Sequence, residues 1–177
     1  MSAMTDLKQF IREVPNFPKP GINFYDISTL LQNETGFGLA LDQMEEYATS
    51  RGAEKIVAIE ARGFVFGAAL ADRMNIGLVI ARKPGKLPYK TFSQEYALEY
   101  GTDRIEIHID AVSKGERVLV VDDLIATGGT LAAACKLVEK MGGQVVGISS
   151  VISLDFLPYR EKLKGYDINY LVSYDSE

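Results

Sequence analysis

The stretch from Val118 to Thr130 limits the folds open to this chain more than any other. Val118–Val121 is a run of four apolar residues without polar alternation, which is typical of a strand covered on both faces in a parallel sheet. Asp122 and Asp123 follow at once, then a loop of small residues and an alanine-rich segment. We therefore expect a buried strand that ends at Val121 and delivers a ligand-binding turn to the carboxyl edge of an α/β sheet.

The loop after the acidic pair suits a phosphate group. Thr127, Gly128, Gly129 and Thr130 precede a predicted helix over 131–141, so unpaired N–H groups and the positive end of the helix dipole face the turn. Carboxylates would repel a phosphate, so we expect the acidic pair to face sugar hydroxyls or a hydrated cation. These features predict a sugar-phosphate site, whereas the plainer alternative is an ordinary strand-to-helix turn with solvated acids.

Two widespread phosphate-binding motifs are missing from the sequence. A P-loop needs a lysine after its last glycine, whereas Thr130 follows Gly129, and G-x-G-x-x-G does not occur. The usual sequence arguments for a nucleoside triphosphate and for a dinucleotide cofactor are therefore absent.

The length and composition predict a single domain over residues 1–177. A chain of 177 residues that is 47% hydrophobic can bury about 70% of its extended surface. Cys135 is the only cysteine, so no intramolecular disulfide can form, and we expect a buried thiol. No apolar stretch approaches the ~20 residues of a membrane span, and the N-terminus lacks the pattern of an export signal. We therefore expect a soluble, cytoplasmic protein without a membrane partner.

The charge is acidic as a whole and basic in one loop. A net charge of −5 and a pI near 5.0 oppose a nucleic-acid partner. Arg82, Lys83 and Lys86 lie around a Pro-Gly turn, directly after a predicted strand over 77–81. This cationic patch has the size of a pyrophosphate, and a solvated basic loop is the alternative.

Hydrophobic periodicity predicts alternating strands and helices along the rest of the chain. The expected helices are a short one capped by Thr5 that carries Leu7, Phe10, Ile11 and Val14 on one face, and two longer ones over 34–50 and 64–74. The expected strands cover 55–60, 77–81, 144–154 and 166–173, with an exposed hairpin over 91–109 and an extended aromatic segment over 16–26. This order predicts a mostly parallel twisted sheet flanked by helices. It also places Glu60 and Arg62 at the carboxyl edge of that sheet.

The stretch 118–130 resembles the binding motif for 5-phosphoribosyl 1-pyrophosphate (PRPP) of the type I phosphoribosyltransferases. The resemblance implies the fold of that family, with an acidic pair that binds the ribose 2′ and 3′ hydroxyls and a loop that holds the 5′-phosphate. Carried over residue by residue, it assigns the ribose to Asp122 and Asp123. It assigns the 5′-phosphate to Ala126, Thr127, Gly128, Gly129 and Thr130.

Four further segments resemble, in the same order, the adenine phosphoribosyltransferase branch of that family. They are 16–27, 59–67, 82–88 and 98–101. In that branch a hood encloses the adenine, which here corresponds to about 1–30 and 152–177. The resemblance implies that the base stacks on Phe24 and that Leu154 lies on the opposite side of the base. Its edge would be contacted by Ile22, Asn23 and the backbone of Tyr25.

The same resemblance implies that ribose 5-phosphate moves from PRPP to N9 of adenine, giving AMP and pyrophosphate with inversion. A flexible hairpin lid over about 88–105 would close on the reactants. Glu99, Tyr100 and Arg62 would act at the reacting groups, and Arg62, Arg82, Lys83 and Lys86 would bind the pyrophosphate. Mg²⁺ would be held mainly by PRPP oxygens and water, so no protein residue is assigned as a metal ligand. Relatives form homodimers, which implies a second copy of the chain as partner.

Two alternatives remain open at the level of sequence. One is a phosphoribosyltransferase for a 6-oxopurine or an unrelated base; the 6-oxopurine is disfavoured, because family members with that specificity have an aspartate at the position of Ala126. A regulator that binds PRPP without catalysis would need a surface for DNA or RNA, which an acidic single domain does not offer.

Overall fold

The computed structural model describes residues 5–177, and residues 1–4 of the predicted hood and N-terminal segment lie outside the described residues. The strands are β1 (Arg12–Pro15), β2 (Asn23–Asp26), β3 (Lys55–Ile59), β4 (Gly77–Ala81), β5 (Thr91–Ala97), β6 (Thr102–His108), β7 (Arg117–Ile125), β8 (Gln144–Leu154) and β9 (Ile168–Tyr174). The helices are α1 (Ser28–Gln32), α2 (Glu34–Ser50), α3 (Gly63–Met74), α4 (Gly129–Lys140) and α5 (Tyr159–Lys162), and a 3-10 helix spans Leu7–Phe10.

A five-stranded parallel sheet in the order β4-β3-β7-β8-β9 forms the centre of the molecule. Alternate residues of β7 enter two apolar clusters: Leu119 and Val121 face α2 and α3, whereas Val118 and Val120 face α4. The predicted parallel sheet flanked by helices is thus confirmed. Because all five strands are parallel, their carboxyl ends meet at one edge, where the site residues gather.

Three of the predicted elements are confirmed with their exact bounds. The helix over 34–50 and the strands over 77–81 and 144–154 match α2, β4 and β8. Two antiparallel strands, β5 and β6, form the predicted hairpin. None of the helices in residues 5–177 has the length and apolarity needed to cross a bilayer.

The prediction of an N-terminal helix capped by Thr5 and reaching Val14 is wrong. Asp6 is the cap, since its Oδ1 accepts a hydrogen bond of 3.0 Å from the Lys8 amide, and the 3-10 turn ends at Phe10. Val14 lies in β1, opposite Phe24 of β2. The proline at position 15 disfavours a helical conformation for Val14, and the hairpin with β2 satisfies the backbone instead.

The predicted end of the central strand at Val121 is also wrong, because β7 continues to Ile125. Pairing with β3 stops at Ala58–Val121, whereas pairing with β8 continues as far as Ile125–Ser153. Asp122 and Asp123 therefore lie inside a strand that is paired on one side only. Their other side faces the turn between β3 and α3.

The two ends of the described chain pack together beside the sheet. The Tyr25 ring of β2 stacks on Tyr174 of β9 with centroids 3.7 Å apart. The Tyr25 hydroxyl donates a hydrogen bond of 3.1 Å to the carbonyl oxygen of Ser176. The hairpin of β1 and β2 is thereby joined to the C-terminal segment, next to the carboxyl end of β8.

Helix α3 packs so closely on the sheet that Gly67 has no room for a side chain. A Cβ at Gly67 would overlap the Cβ of Ala58 in β3, whereas one at Gly38 in α2 would meet nothing within 4 Å. Gly67 therefore serves the close packing of α3 on β3. We expect Gly67→Ala to lower the free energy of unfolding by at least about 2 kcal/mol.

Gly38→Ala provides the matched control for that substitution. It should raise the free energy of unfolding by roughly 0.5–1 kcal/mol, because alanine has the higher helix propensity. Urea unfolding of both variants measures the difference. Equal effects of the two substitutions would show that the close approach of α3 to β3 does not limit stability.

Candidate active site

The acidic pair lies against the turn that precedes α3. Arg62 Nε is 3.0 Å from Asp123 Oδ2, and the Asp123 side chain is only 6% exposed. The approach does not have hydrogen-bond geometry, so this buried oxygen has no hydrogen-bond donor within residues 5–177. Asp122 Oδ1 accepts a hydrogen bond of 2.8 Å from the Asp123 amide. A buried carboxylate oxygen with a free lone pair is suited to accept a hydrogen bond from a ligand hydroxyl.

Gly63 allows the helix to begin this close to the acidic pair. A Cβ there would lie 2.9 Å from Asp122 Oδ1 and 3.1 Å from Asp122 Cα. Burial, followed by the neighbouring Asp123 carboxylate, raises the pKa of Asp122 well above its usual range. The site therefore holds a carboxyl group whose ionised form destabilises the folded state.

That raised pKa predicts that Asp122→Asn stabilises the fold at neutral and alkaline pH. The folded state binds the Asp122 proton more tightly than the unfolded state, so its destabilising contribution is complete above the folded-state pKa and absent below the unfolded one. The gain in unfolding free energy should therefore be largest at the alkaline end of a pH titration and shrink as the pH falls towards the ordinary aspartate pKa of 3.8. Urea titrations across this range measure it. Asp110→Asn, at an exposed position, should show no such trend, and a gain that is independent of pH would contradict the assignment.

The loop from Ala126 to Thr130 closes a small cavity together with Asp122 and Leu124. Gly128 adopts a φ of +82°, and a Cβ there would lie 3.1 Å from the Cβ of Tyr159 in α5. Gly129 begins α4, two residues earlier than predicted, and the loop amides therefore stand at a helix N-terminus. This arrangement brings Asp122 and the predicted phosphate loop around one cavity, with backbone donors suited to an anion, whereas the Asp123 side chain lies against Arg62.

The basic loop after β4 is organised by Glu60, whose side chain is 10% exposed. Its carboxylate accepts hydrogen bonds from Arg82 Nη2 at 2.9 Å, Lys86 Nζ at 2.5 Å and the Lys83 amide at 2.7 Å. Burial alone would raise the pKa of Glu60, but these donors outweigh burial and hold the pKa at about 2. The sequence predicts the position of Glu60 at the carboxyl edge of the sheet but indicates no role for it.

The Lys83 side chain, unlike those of Arg82 and Lys86, contacts the hairpin of β5 and β6 rather than Glu60. Its ammonium donates a hydrogen bond of 2.7 Å to the Tyr96 hydroxyl and forms a short ion pair with Asp103. Partial burial lowers the pKa of Lys83, but these two partners outweigh it and raise the pKa above its usual value. Neither Tyr96 nor Asp103 was foreseen as part of the site, because their roles depend on contacts between separate elements.

Phe24, which is predicted to stack on the base, lies beside Arg62. The Arg62 guanidinium carbon is 5.3 Å from the centroid of the Phe24 ring, and Phe17 meets that ring edge-on at 5.2 Å. Asn23 Oδ1 is buried without a hydrogen-bond partner in the described part of the chain. The Tyr25 side chain is buried, which leaves only its backbone for a ligand. Ile22 and Leu154 are half-buried, the latter at the end of β8.

Glu99 and Tyr100 are not brought together with the other candidates. They lie in the turn between β5 and β6, where Tyr100 is 86% exposed and Glu99 is exposed as well. Neither side chain makes a hydrogen bond or an ion pair with another residue of the described range. The hairpin would have to move for them to reach the cavity at Asp122.

The only cysteine and the only histidine of the chain are Cys135 and His108. Cys135 is fully buried in α4, and burial raises the pKa of its thiol. His108 Nε2 accepts a hydrogen bond of 3.4 Å from the Tyr89 amide at the polar side of β6. Within residues 5–177, no three or more His, Cys, Asp or Glu side chains are grouped to hold a metal ion.

Comparison with known proteins identifies the family. The phosphoribosyl transferase domain matches residues 38–172. The adenine phosphoribosyltransferase of Thermotoga petrophila is 53% identical over 169 residues, which cover 96% of this chain and 99% of that protein. The one of Acetivibrio thermocellus is 54% identical over 170 residues, which cover 96% and 99%. The chain belongs to the adenine phosphoribosyltransferase family.

Solved structures of this family share the fold. The crystal structure of adenine phosphoribosyltransferase from Thermoanaerobacter pseudethanolicus has a TM-score of 0.91 and 51% identity, covering 95% of this chain and 98% of that one. The Saccharomyces cerevisiae enzyme, complexed with an imino-altritol bisphosphate and adenine, has a TM-score of 0.89 and 38% identity, covering 94% and 96%. Membership in the adenine phosphoribosyltransferase family makes the chain a pentosyltransferase of purine salvage. The fold, the family and the enzyme class predicted from the sequence are thus confirmed.

Proposed function

We propose that this family member transfers ribose 5-phosphate from PRPP to N9 of adenine, releasing AMP and pyrophosphate. The observation that carries the proposal is the cavity that Asp122 lines together with the loop 126–130, with Asp123 as the next residue of the strand. Carboxylate acceptors for a diol lie there beside backbone donors for a phosphate, as a ribose 5-phosphate requires. Ala126 offers no carboxylate to a 6-oxopurine, which favours adenine as the base.

The acidic pair would hold the ribose ring. Asp123 Oδ2 is buried and lacks a hydrogen-bond donor within residues 5–177, so a ribose hydroxyl would satisfy it. The loop amides and the hydroxyls of Thr127 and Thr130 would hold the 5′-phosphate. These contacts would fix the position of the ribose C1 atom relative to the base and to the leaving pyrophosphate.

The pyrophosphate would be bound by Arg62, Arg82, Lys83 and Lys86. Each of these side chains is engaged with a carboxylate, Arg62 with Asp123, Lys83 with Asp103 and the other two with Glu60. For Arg62, Arg82 and Lys86, binding of the anion therefore exchanges protein carboxylates for phosphate oxygens, whereas Lys83 keeps its bond to Asp103 and offers its remaining N–H. Such an exchange limits the cost of desolvation, because the cations are already partly removed from water.

Mg²⁺ would accompany PRPP rather than occupy a protein cage. The ion prefers phosphate oxygens and retains several waters, and it would neutralise charge on the leaving pyrophosphate. The carboxylates of Asp122 and Asp123 are suited to accept hydrogen bonds from its waters as well as from the ribose. Their chemistry fits a hydrated ion, and neither is assigned as a direct ligand.

Catalysis would require closure of the lid, residues 88–105. Positive charge develops on the ribosyl group as the bond to pyrophosphate breaks, and water would capture that group in an open site. Glu99 would stabilise this charge or move a proton at the base, and Tyr100 would cover the pyrophosphate. Phe24 would hold the base by stacking, with Ile22, Asn23, the Tyr25 backbone and Leu154 around it.

A homodimer is part of the proposal. Strand β4 is one edge of the sheet and carries the exposed apolar side chains Leu78 and Ile80. A second copy of the chain could pack on this edge strand and cover its exposed apolar side chains. Sedimentation equilibrium would show twice the chain mass. A cytoplasmic location completes the proposal.

The test is an assay of nucleotide formation with PRPP, Mg²⁺ and one base at a time. We expect AMP from adenine and little nucleotide from hypoxanthine, guanine or xanthine. Turnover of a 6-oxopurine without turnover of adenine would overturn the assignment of the base. Tight binding of PRPP without turnover of any of the four bases would overturn the proposed reaction.

A further inference from the structure

Tyr96 of β5 contacts three parts of the site at once. Its ring lies on the first residue of α4, since a Cβ at Gly129 would be 3.1 Å from Tyr96 Cδ2. Its hydroxyl accepts a hydrogen bond of 2.7 Å from Lys83 Nζ and lies 3.3 Å from Asp103 Oδ2, to which it donates. One half-buried side chain thus joins the phosphate loop, the basic loop and the base of the lid.

The partners of Lys83 leave one donor for a ligand. Its ammonium has three N–H groups, of which the Tyr96 hydroxyl and the Asp103 carboxylate engage two. The ammonium also lies 5.3 Å from the centroid of the Tyr96 ring, close enough for a cation–π contact. Because two N–H groups of Lys83 bond to residues of the hairpin, the hairpin helps to set the direction of the third N–H group.

We propose that Tyr96 is a positioning residue that orients Lys83 towards the pyrophosphate and seats the lid hairpin on the phosphate loop. This inference rests on the proposed function, because it concerns the ligand of Lys83. The two halves of the side chain have separate tasks. The hydroxyl acts through Lys83 on the pyrophosphate end of PRPP, and the ring acts through Gly129 on the 5′-phosphate end.

The separation of tasks predicts different results for two substitutions. Tyr96→Phe keeps the ring on Gly129 and removes the hydroxyl, so affinity for pyrophosphate should fall roughly threefold to tenfold while affinity for AMP stays unchanged. Tyr96→Ala removes both contacts, so both affinities should fall. A purely structural role would not separate the two ligands, because general loosening of the hairpin would weaken both in either variant.

A double-mutant cycle tests whether the hydroxyl acts through the lysine. Isothermal titration with Mg²⁺-pyrophosphate and, separately, with AMP is carried out on the wild type, Tyr96→Phe, Lys83→Ala and the double variant. We expect Tyr96→Phe to have no further effect on pyrophosphate affinity once Lys83 is alanine. Equal losses in both backgrounds, or a loss of AMP affinity in the single Phe variant, would overturn the proposal.

Tyr166→Phe is the matched control, because its hydroxyl also donates to a carboxylate, that of Glu139 at 3.0 Å, at the far end of α4. It should leave both affinities unchanged. Binding of pyrophosphate and AMP by the wild type distinguishes a failure of the proposed function from a failure of the proposed role of Tyr96. A wild type that binds neither ligand contradicts the proposed function, whereas normal binding with an unaffected Tyr96→Phe variant contradicts only the role of Tyr96.

Discussion

Glu99→Gln is expected to lower kcat by about 10²-fold or more while leaving the affinity for PRPP within roughly twofold. Glu99 lies in the exposed turn of the hairpin and makes no ion pair or hydrogen bond with a described residue, so it contributes nothing to PRPP binding in the open state. Its carboxylate would matter only after the lid closes and charge develops on the ribosyl group. The change preserves the shape of the side chain and removes its charge.

Steady-state kinetics with adenine and PRPP, together with thermal melting, measure this effect. The melting temperature should not move, because substitutions at exposed sites without partners change stability by at most about 0.5 kcal/mol. Glu95→Gln on the same hairpin is the control. That residue is more than half exposed and makes a weak ion pair of 3.5 Å with Arg104, so its loss should leave kcat close to the wild type. An unchanged kcat in Glu99→Gln would remove Glu99 from the catalytic groups.

The elements of the sheet could be predicted because their signals are local. The run Gly77–Ala81 is short, apolar and bounded by Asn75 and Pro84, and it forms β4 with those bounds. The helix over 34–50 begins after Asn33, whose side chain accepts the Gly36 amide and caps it. In both cases the residues that define the element also lie within it or beside it.

The errors arose where a distant partner decides the conformation. Strand β7 continues past Val121 because Leu124 and Ile125 pair with β8, and nothing within 118–130 reveals that register. Val14 joined a predicted helix because its spacing from Leu7 is helical, but pairing with Phe24 makes it a strand residue. The short helix α1 was missed because five residues carry too little periodicity to be recognised.

The site was predictable in its position and not in its ion pairs. Strand order places the carboxyl ends of β3, β4 and β7 at one edge, so the grouping of Arg62, Arg82 and Asp123 follows from topology. The sequence gives no indication that Glu60 holds Arg82 and Lys86 or that Asp103 of the hairpin holds Lys83. These pairings depend on side-chain directions from separate elements, which periodicity does not encode.

Asp123→Asn is expected to lower kcat/KM for PRPP by about 100-fold and to leave adenine affinity nearly unchanged. The buried Oδ2 of Asp123 is the oxygen that lacks a hydrogen-bond donor in the described range. The amide has one acceptor oxygen where the carboxylate has two, and it places N–H donors near the Arg62 guanidinium and the ribose hydroxyls. Hydrogen bonds to a charged acceptor contribute about 1.5–3 kcal/mol each, so the loss of one or two accounts for this factor.

The stability of the variant separates this effect from misfolding. Arg62 is 45% exposed, so solvent screens its ion pair with Asp123, and loss of the Asp123 charge also relieves repulsion at Asp122, so the melting temperature should not fall. Isothermal titration with PRPP and with adenine measures the two affinities, and Asp110→Asn serves as the control. Equal losses for both ligands would indicate a disturbed fold. Full PRPP affinity in Asp123→Asn would show that the diol is held elsewhere, because no nearby neutral acceptor could replace the charge of this buried carboxylate.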